Sequence, residues 1–168
     1  MAQSNYEFFE DLPRTSIRYR DFAGKGFDGD TPGRVRPAIC IWIDDEDQAK
    51  RMANEGWNIS YKPRQGYEED QPCVRLQLFW KAHPNVFMKI GNNPNQKLTE
   101  ETVGVLDGVD ILSVDVKAHW FETQKNRNVF HTGCCDTIRI VVREDRLERK
   151  MRMEDEAAGY DADEAPFD

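Results

Sequence analysis

The sequence lacks any hydrophobic run that could cross a membrane. Its longest apolar run, residues 38–43, is far shorter than the roughly 20 residues that a transmembrane helix needs. The first 14 residues lack both the basic and the apolar segment of a secretory signal, so none is expected. Cysteine is scarce, with four in 168 residues, and four cysteines without a leader predict free thiols in a reducing compartment. We therefore expect a cytoplasmic protein that does not bind membranes.

Basic residues are absent from the C-terminal end. Seven of the 31 acids lie in residues 154–168, which leaves 24 acids against 23 bases in residues 1–153. The net charge of −8 therefore comes almost entirely from this end, and the nearly neutral remainder can still carry one basic face. High charge without apolar periodicity predicts that residues 151–168 form a disordered acidic tail.

An aromatic residue, Phe167, stands beside the last residue of this acidic end. A ring on a flexible acidic arm is suited to a hydrophobic pocket with a basic rim, because the acids steer the encounter and the ring anchors it. The alternative is a tail that only adds solubility. We expect the tail to bind partner proteins through Asp161, Asp163, Glu164, Pro166, Phe167 and Asp168.

Alternating apolar and polar residues predict a mainly β domain over residues 12–150, preceded by a short arm over residues 1–11. The pattern predicts an OB-fold-like antiparallel β-barrel with one or two short helices, and a jelly-roll sandwich is the alternative. Strands are expected at 15–22, 34–43, 57–61, 74–80, 86–90, 111–121 and 136–142, helices at 44–55 and 99–106, and loops at 24–33, 62–72 and 125–133.

Aromatic and basic residues recur together on the strand faces that point away from the predicted core. Single-stranded DNA exposes phosphates, which cations contact, and flat base faces, on which aromatic rings stack. The alternative is that these rings cover a second small core; Trp57 and Trp120 are expected in the main core. The predicted DNA-binding residues are Lys25, Phe27, Arg34, Arg36, Trp42, Tyr61, Lys62, Arg64, Arg75, Phe79, Phe87 and Lys89.

Motifs for catalysis or metal binding are not legible in the sequence. The glycine-rich segment 24–26 lacks the spacing of a nucleotide-binding loop. The cysteines and histidines lack zinc-site spacing, and the acids at 44–47 fit the start of a helix better than a nuclease centre. We therefore expect no enzyme activity, no cofactor and no metal, and a Mg²⁺-dependent nuclease is the enzymatic alternative.

Three segments resemble a group of tailed-bacteriophage single-stranded DNA-binding proteins. They are residues 20–34, residues 55–58, and residues 106–111 with the following Val114, Asp115 and Trp120; the resemblance spans about residues 17–145. The acidic arm ending in Pro166-Phe167-Asp168 is similar to the tip of bacterial single-stranded DNA-binding proteins. The resemblance implies an OB-type fold, no catalysis and binding with little sequence preference in the infected bacterial host. It also implies that the tail recruits replication and recombination proteins.

Two other functions remain open from the sequence. One is a single-stranded DNA-annealing recombination protein, which would speed the pairing of complementary strands. The other is a virion structural or assembly protein, which would form a defined oligomer without DNA affinity. The sequence also leaves a homodimer open.

Overall fold

The computed structural model describes residues 5–26, 35–144, 150–151, 153–154 and 157. Two predicted DNA-binding residues, Phe27 and Arg34, lie outside the described residues, as do all six predicted partner-binding residues, 161–168. Within residues 5–26 and 35–144, one α-helix, α1 (Glu46–Asn54), and three short 3₁₀ segments (Arg14–Ser16, Trp80–Ala82, Val103–Asp107) interrupt the strands. The described part of the chain contains nine strands: β1 (Tyr6–Pro13), β2 (Ile17–Asp21), β3 (Ala38–Trp42), β4 (Ile59–Lys62), β5 (Gln71–Gln77), β6 (Asn85–Ile90), β7 (Gln96–Leu98), β8 (Ile111–Lys125) and β9 (Asn128–Val142).

The strands form one strongly curled sheet, a half-barrel, which confirms the mainly β prediction. Its path runs β1-β8-β9-β5-β3-β2, with β4 paired to β5 and β6 paired to both β7 and β9. Most neighbours are antiparallel, but β9 runs parallel to β5 and to β6. Strand β9 pairs with β5 only at Cys134 and then continues along β6, so the sheet divides at this point.

The main core fills the inside of the curl. On β3, Ile39 and Ile41 face this core, whereas Cys40 and Trp42 form a second buried cluster with Cys73 on the other face, which we call the outer face. The alternation predicted for this strand is therefore confirmed, although every residue of it is buried. Trp57 is a core residue, as expected, and Trp120 packs partly buried against the core.

Helix α1 lies within the predicted range of residues 44–55, and both of its ends have local causes. The carboxylate of Asp45 accepts hydrogen bonds from the backbone N–H groups of Asp47 (2.9 Å) and Gln48 (3.3 Å), which caps the helix. Gly56 follows the helix with φ of +102°, a conformation that favours glycine. A side chain there would also approach the Trp120 indole to 2.7 Å, so Gly56 is required for both reasons.

Two predicted irregular segments are strands instead. The loop expected at 125–133 is the end of the β8–β9 hairpin, whose two-residue turn places Asn126 and Arg127 at φ of 51° and 69°. Positive φ at both turn positions matches the twist of the two strands in a two-residue hairpin. Such turns usually contain glycine, so the Asn-Arg sequence does not signal one. Strand β1 pairs with β8 and spans the boundary drawn at residue 12. The helix expected at 99–106 is the 3₁₀ segment Val103–Asp107.

The described helices include none long and apolar enough to cross a membrane.

Candidate nucleic-acid interface

A continuous line of rings and cations crosses the outer face of the sheet. Each member contacts the next through an aromatic or cation–π contact, from Arg36, two residues before β3, to the edge strand β1. We call this line the aromatic row; it consists of Arg36, Phe79, Phe121, His119, Tyr6, Lys117 and Phe8.

The distances within the row are those of direct contacts. The Arg36 guanidinium lies 4.2 Å from the Phe79 ring centroid, and Phe79 meets Phe121 edge-on at 5.2 Å. His119 follows at 6.2 Å from Phe121 and 5.5 Å from Tyr6. Lys117 joins the last two rings of the row, because its Nζ lies 5.4 Å from the Tyr6 ring centroid and 5.9 Å from that of Phe8. Centroid separations of 4.5–7 Å are typical of favourable ring pairs.

Strand pairing explains why these side chains meet. Tyr6 lies opposite His119 and Phe8 opposite Lys117 in the β1–β8 pairing. Successive strand residues point to opposite faces, so the buried Glu7 and Phe9 leave Tyr6 and Phe8 outside. Tyr6 is 46% exposed and Phe8 is 60% exposed. The row therefore presents open ring surface at its β1 end.

The other end of the row opens into a cleft of about 830 Å³. Arg36 and Phe79 line this cleft together with Trp80 and Lys81. The cleft lies at the base of the glycine-rich segment, where the N–H of Val35 donates to the carbonyl of Gly24 over 2.8 Å. The row and the cleft thus form one aromatic and basic surface.

A second group of rings and cations, the Trp42 cluster, lies near β2 and β3. The Arg64 guanidinium lies 5.1 Å from the Trp42 ring and 4.8 Å from Tyr67, and Arg18 lies 5.8 Å from Trp42 and 5.5 Å from Tyr19. Trp42 is only 6% exposed. A base could stack on it only if the arginines moved.

Arg64 is held firmly in this cluster. It forms an ion pair with Asp44 (2.5 Å) and donates a hydrogen bond to the carbonyl of Thr15 (2.9 Å). Moving Arg64 away would therefore break both interactions as well as its ring contacts. The geometry favours the alternative interpretation for Trp42, a ring that covers a small second core.

Thiols lie beneath the Trp42 cluster. The pKa of Cys73 is lowered to about 7, mainly because its sulfur accepts a hydrogen bond from Cys40. The positive charges of Arg18 and Lys62 lower it further. The same contact and burial raise the pKa of Cys40. Burial is also the main cause that raises the pKa of Tyr19. Cys40, Cys73 and Tyr19 thus pack together beneath Trp42 as a small second core.

A groove of about 470 Å³ flanks the row beside β1 and contains the predicted Phe87. Phe8, Lys117 and Arg139 line the same groove, and Arg139 pairs with Asp115 at 2.6 Å. Burial would raise the pKa of Asp115, but the Asp11 N–H and the Arg139 guanidinium outweigh it and hold this pKa below its ordinary value. The groove extends the ring-bearing surface around the sheet edge.

The predicted DNA-binding residues fall into separate places. Arg36 and Phe79 form one end of the row, Trp42 and Arg64 are closed together, and Phe87 lies in the groove. The remaining described ones are distributed around these sites: Tyr61 and Lys62 are exposed on β4, Arg75 is exposed on β5, and Lys25 and Lys89 are half-buried.

Several surface residues escaped the sequence prediction. Residues 1–11 are predicted as an arm, whereas Tyr6 and Phe8 lie on strand β1, where Glu7 and Phe9 share the buried face and the apolar pattern gives no clear alternation. Lys117 and His119 lie on the outward face of β8, but single outward residues give no sign of the rings beside them. The missed residues of the three sites are Tyr6, Phe8, Arg18, Tyr19, Tyr67, Lys117, His119, Phe121 and Arg139.

The sequence matches the model of a known protein family over nearly the whole chain. The family described as "Putative phage ssDNA-binding domain" matches residues 1–163. The chain belongs to this family. The resemblance inferred from the sequence is thereby confirmed, and single-stranded DNA is the partner of this phage domain. A search of curated proteins found no match.

Proposed function

We propose that this ssDNA-binding domain coats and protects single strands during phage replication and recombination, in the cytoplasm of the infected host. Bases stack on the rings of the aromatic row, and phosphates are bound by the cations beside them. The domain acts by binding alone and catalyses no reaction. The one observation that carries the proposal is the unbroken contact from Arg36 to Phe8 across the outer face.

The chemistry of the row suits unpaired DNA of any sequence. Every base has a flat π-face, so stacking is indifferent to sequence, and each stack contributes roughly 1–3 kcal/mol. Arg36 and Lys117 lie next to rings, where a phosphate would follow its stacked base. Among the described residues neither of these two cations forms an ion pair with an acid, so both can accept a phosphate without losing a partner.

Titration of labelled DNA tests the proposal directly. Fluorescence anisotropy with oligo-dT and with a duplex of equal length, at low and moderate salt, should show preferential binding of the single strand. The logarithm of the binding constant should fall with the logarithm of salt concentration by about 0.7 for each phosphate neutralised. Equal affinity for both DNAs, or binding that is insensitive to salt, would contradict the proposal.

Two further assays separate the alternatives. Faster pairing of complementary oligonucleotides would indicate an annealing protein, and a defined oligomer without DNA affinity would indicate virion assembly. Incubation of labelled strands with Mg²⁺ should leave them intact, because we propose no catalysis.

The acidic end has two proposed actions. It recruits replication or recombination proteins through Phe167, and its seven acids compete with DNA for the basic surface. Deleting residues 154–168 should tighten oligo-dT binding and abolish partner binding. The matched control is Phe167→Ala in the full chain, which keeps the charge and should lose only partner binding. Unchanged or weaker DNA affinity after the deletion would refute the competition.

A further inference from the structure

Three metal-ligating side chains converge in the middle of the outer face. The Nδ1 or Nε2 atom of His119, the Sγ atom of Cys134 and a carboxylate oxygen of Asp136 all lie within 4.8 Å of one another. The His119 Nδ1 atom is already 2.8 Å from both carboxylate oxygens of Asp136. The three donors are an imidazole nitrogen, a thiol sulfur and a carboxylate oxygen, and zinc binds all three kinds of ligand atom.

The strand pairing places these three residues together. His119 lies directly opposite Cys134 in the β8–β9 hairpin. A β-bulge between Lys117 and Ala118 shifts the register, because Ala118 pairs with Cys135 and Lys117 pairs with Thr137. Asp136 is the extra residue of this bulge and projects towards the same histidine as Cys134 does.

The spacing fits a tetrahedral ion after small side-chain movements. Zinc lies about 2.3 Å from sulfur and about 2.0–2.2 Å from nitrogen or oxygen, which places neighbouring tetrahedral ligand atoms roughly 3.3–3.7 Å apart. The donor separations bracket these values, from the 2.8 Å His119–Asp136 contact to the 4.8 Å limit of the cluster.

The surroundings of the three donors also suit a metal ion. The buried Cys134 thiol donates a weak hydrogen bond to the Cys135 carbonyl, at 3.7 Å, and accepts one from the Phe79 backbone N–H. The His119 and Asp136 side chains are 24% and 30% exposed, so an ion can enter from the outer face. One thiolate and one carboxylate would neutralise the double charge of a zinc ion.

We propose that His119, Cys134 and Asp136 form a zinc site with a fourth position open to the outer face. Cys134 binds as the thiolate and its proton passes to solvent; no oxidation or reduction takes place. Three protein ligands and one open position are the arrangement of zinc sites that keep an exchangeable ligand. The site goes beyond DNA binding and does not depend on it.

Cobalt(II) alone is the probe, because it takes the place of zinc and is coloured. The full-length protein, reduced and freed of metal with a chelator that is then removed, should bind one Co²⁺ per chain. A thiolate-to-cobalt charge-transfer band and the visible bands of a four-coordinate ion should appear, and added Zn²⁺ should remove them. Absence of these bands in the wild-type protein would overturn the proposal.

Variants identify the ligands. Cys134→Ser should abolish the charge-transfer band, and His119→Gln and Asp136→Asn should weaken Co²⁺ binding at least about tenfold. Circular dichroism of each variant establishes that it is folded; Asp136→Asn retains a group that can hydrogen-bond His119, so it remains informative if Cys134→Ser does not fold.

The matched controls are Cys73→Ser and His83→Gln. Cys73 lies beside Cys40 in the second buried cluster of the outer face. His83 is exposed and is not one of the three proposed ligands. Both variants should bind Co²⁺ as the wild-type protein does. Loss of the band in Cys73→Ser with retention in Cys134→Ser would place the metal at the Cys40–Cys73 pair and refute the site proposed here.

Discussion

The aromatic row and the Trp42 cluster contain the same kinds of residue but differ in what their cations contact. In the row, Arg36 and Lys117 lie against rings that remain partly open to solvent, such as Phe8. In the Trp42 cluster, Arg64 covers its ring and is tied to Asp44 and to the Thr15 carbonyl. If DNA binds along the row as proposed, mixed rings and cations do not by themselves define a DNA surface. An accessible ring face and a cation without an acidic partner are also needed.

The largest effect should come from removing the ring of the closed cluster. Trp42→Ala should lower the free energy of unfolding by about 3–5 kcal/mol, because it removes a large buried side chain and leaves a cavity. Urea unfolding measures this loss. DNA binding by the folded fraction should change little; strong loss of affinity in a stable variant would show that bases stack on Trp42 after all.

Removing single rings of the row should weaken DNA binding without unfolding the domain. Tyr6→Ala and Phe8→Ala should each cost roughly 1–3 kcal/mol of oligo-dT affinity, because each removes an exposed stacking face. Anisotropy titration measures the change.

The matched controls for these ring variants are Tyr61→Ala and Tyr67→Ala, which remove equally exposed rings away from the row. Their affinities should stay within a factor of a few of wild type. Losses equal to those of Tyr6→Ala would remove the distinction between the two regions.

A cation of the row should contribute to the salt dependence. Lys117→Met should reduce the slope of the salt titration by about 0.7 and weaken binding equally on every sequence, because one phosphate contact is lost. The control is Lys50→Met, which removes an exposed lysine of helix α1 outside the row. An unchanged slope in Lys117→Met would show that no phosphate lies at this end.

The smallest effect concerns the ion pair at the edge of the row. Asp115→Asn should raise oligo-dT affinity slightly by freeing Arg139, and should lower stability by less than about 1 kcal/mol. Because the folded pKa of Asp115 is below its ordinary value, its stabilisation is present above that value and is lost as the pH falls. Urea unfolding of both proteins over an acidic pH series should therefore show their stabilities converging; a constant difference would contradict this cause.

The predictable parts of the fold are those with local causes. The cap at Asp45, the apolar stripe of helix α1 and the alternation of Ile39 and Ile41 follow from neighbouring residues, and the structure contains them. Both strands of the long hairpin are predicted, but its end is not, because that end is polar and its turn residues are unusual. Local patterns do not predict a strand such as β1, because its hydrogen bonds come from pairing with β8, which is distant in the sequence.

By itself the sequence determined a mainly β domain and a charge excess that lies almost entirely at its acidic end, and it predicted rings mixed with cations on outward strand faces. Alternation has a period of two residues, and it therefore fixes which side chains share a face. Only the tertiary structure decided which of these rings stay open and which are covered. That outcome depends on strand register, on the bulge at Asp136 and on ion pairs such as Arg64 with Asp44, all of which join residues far apart in the chain.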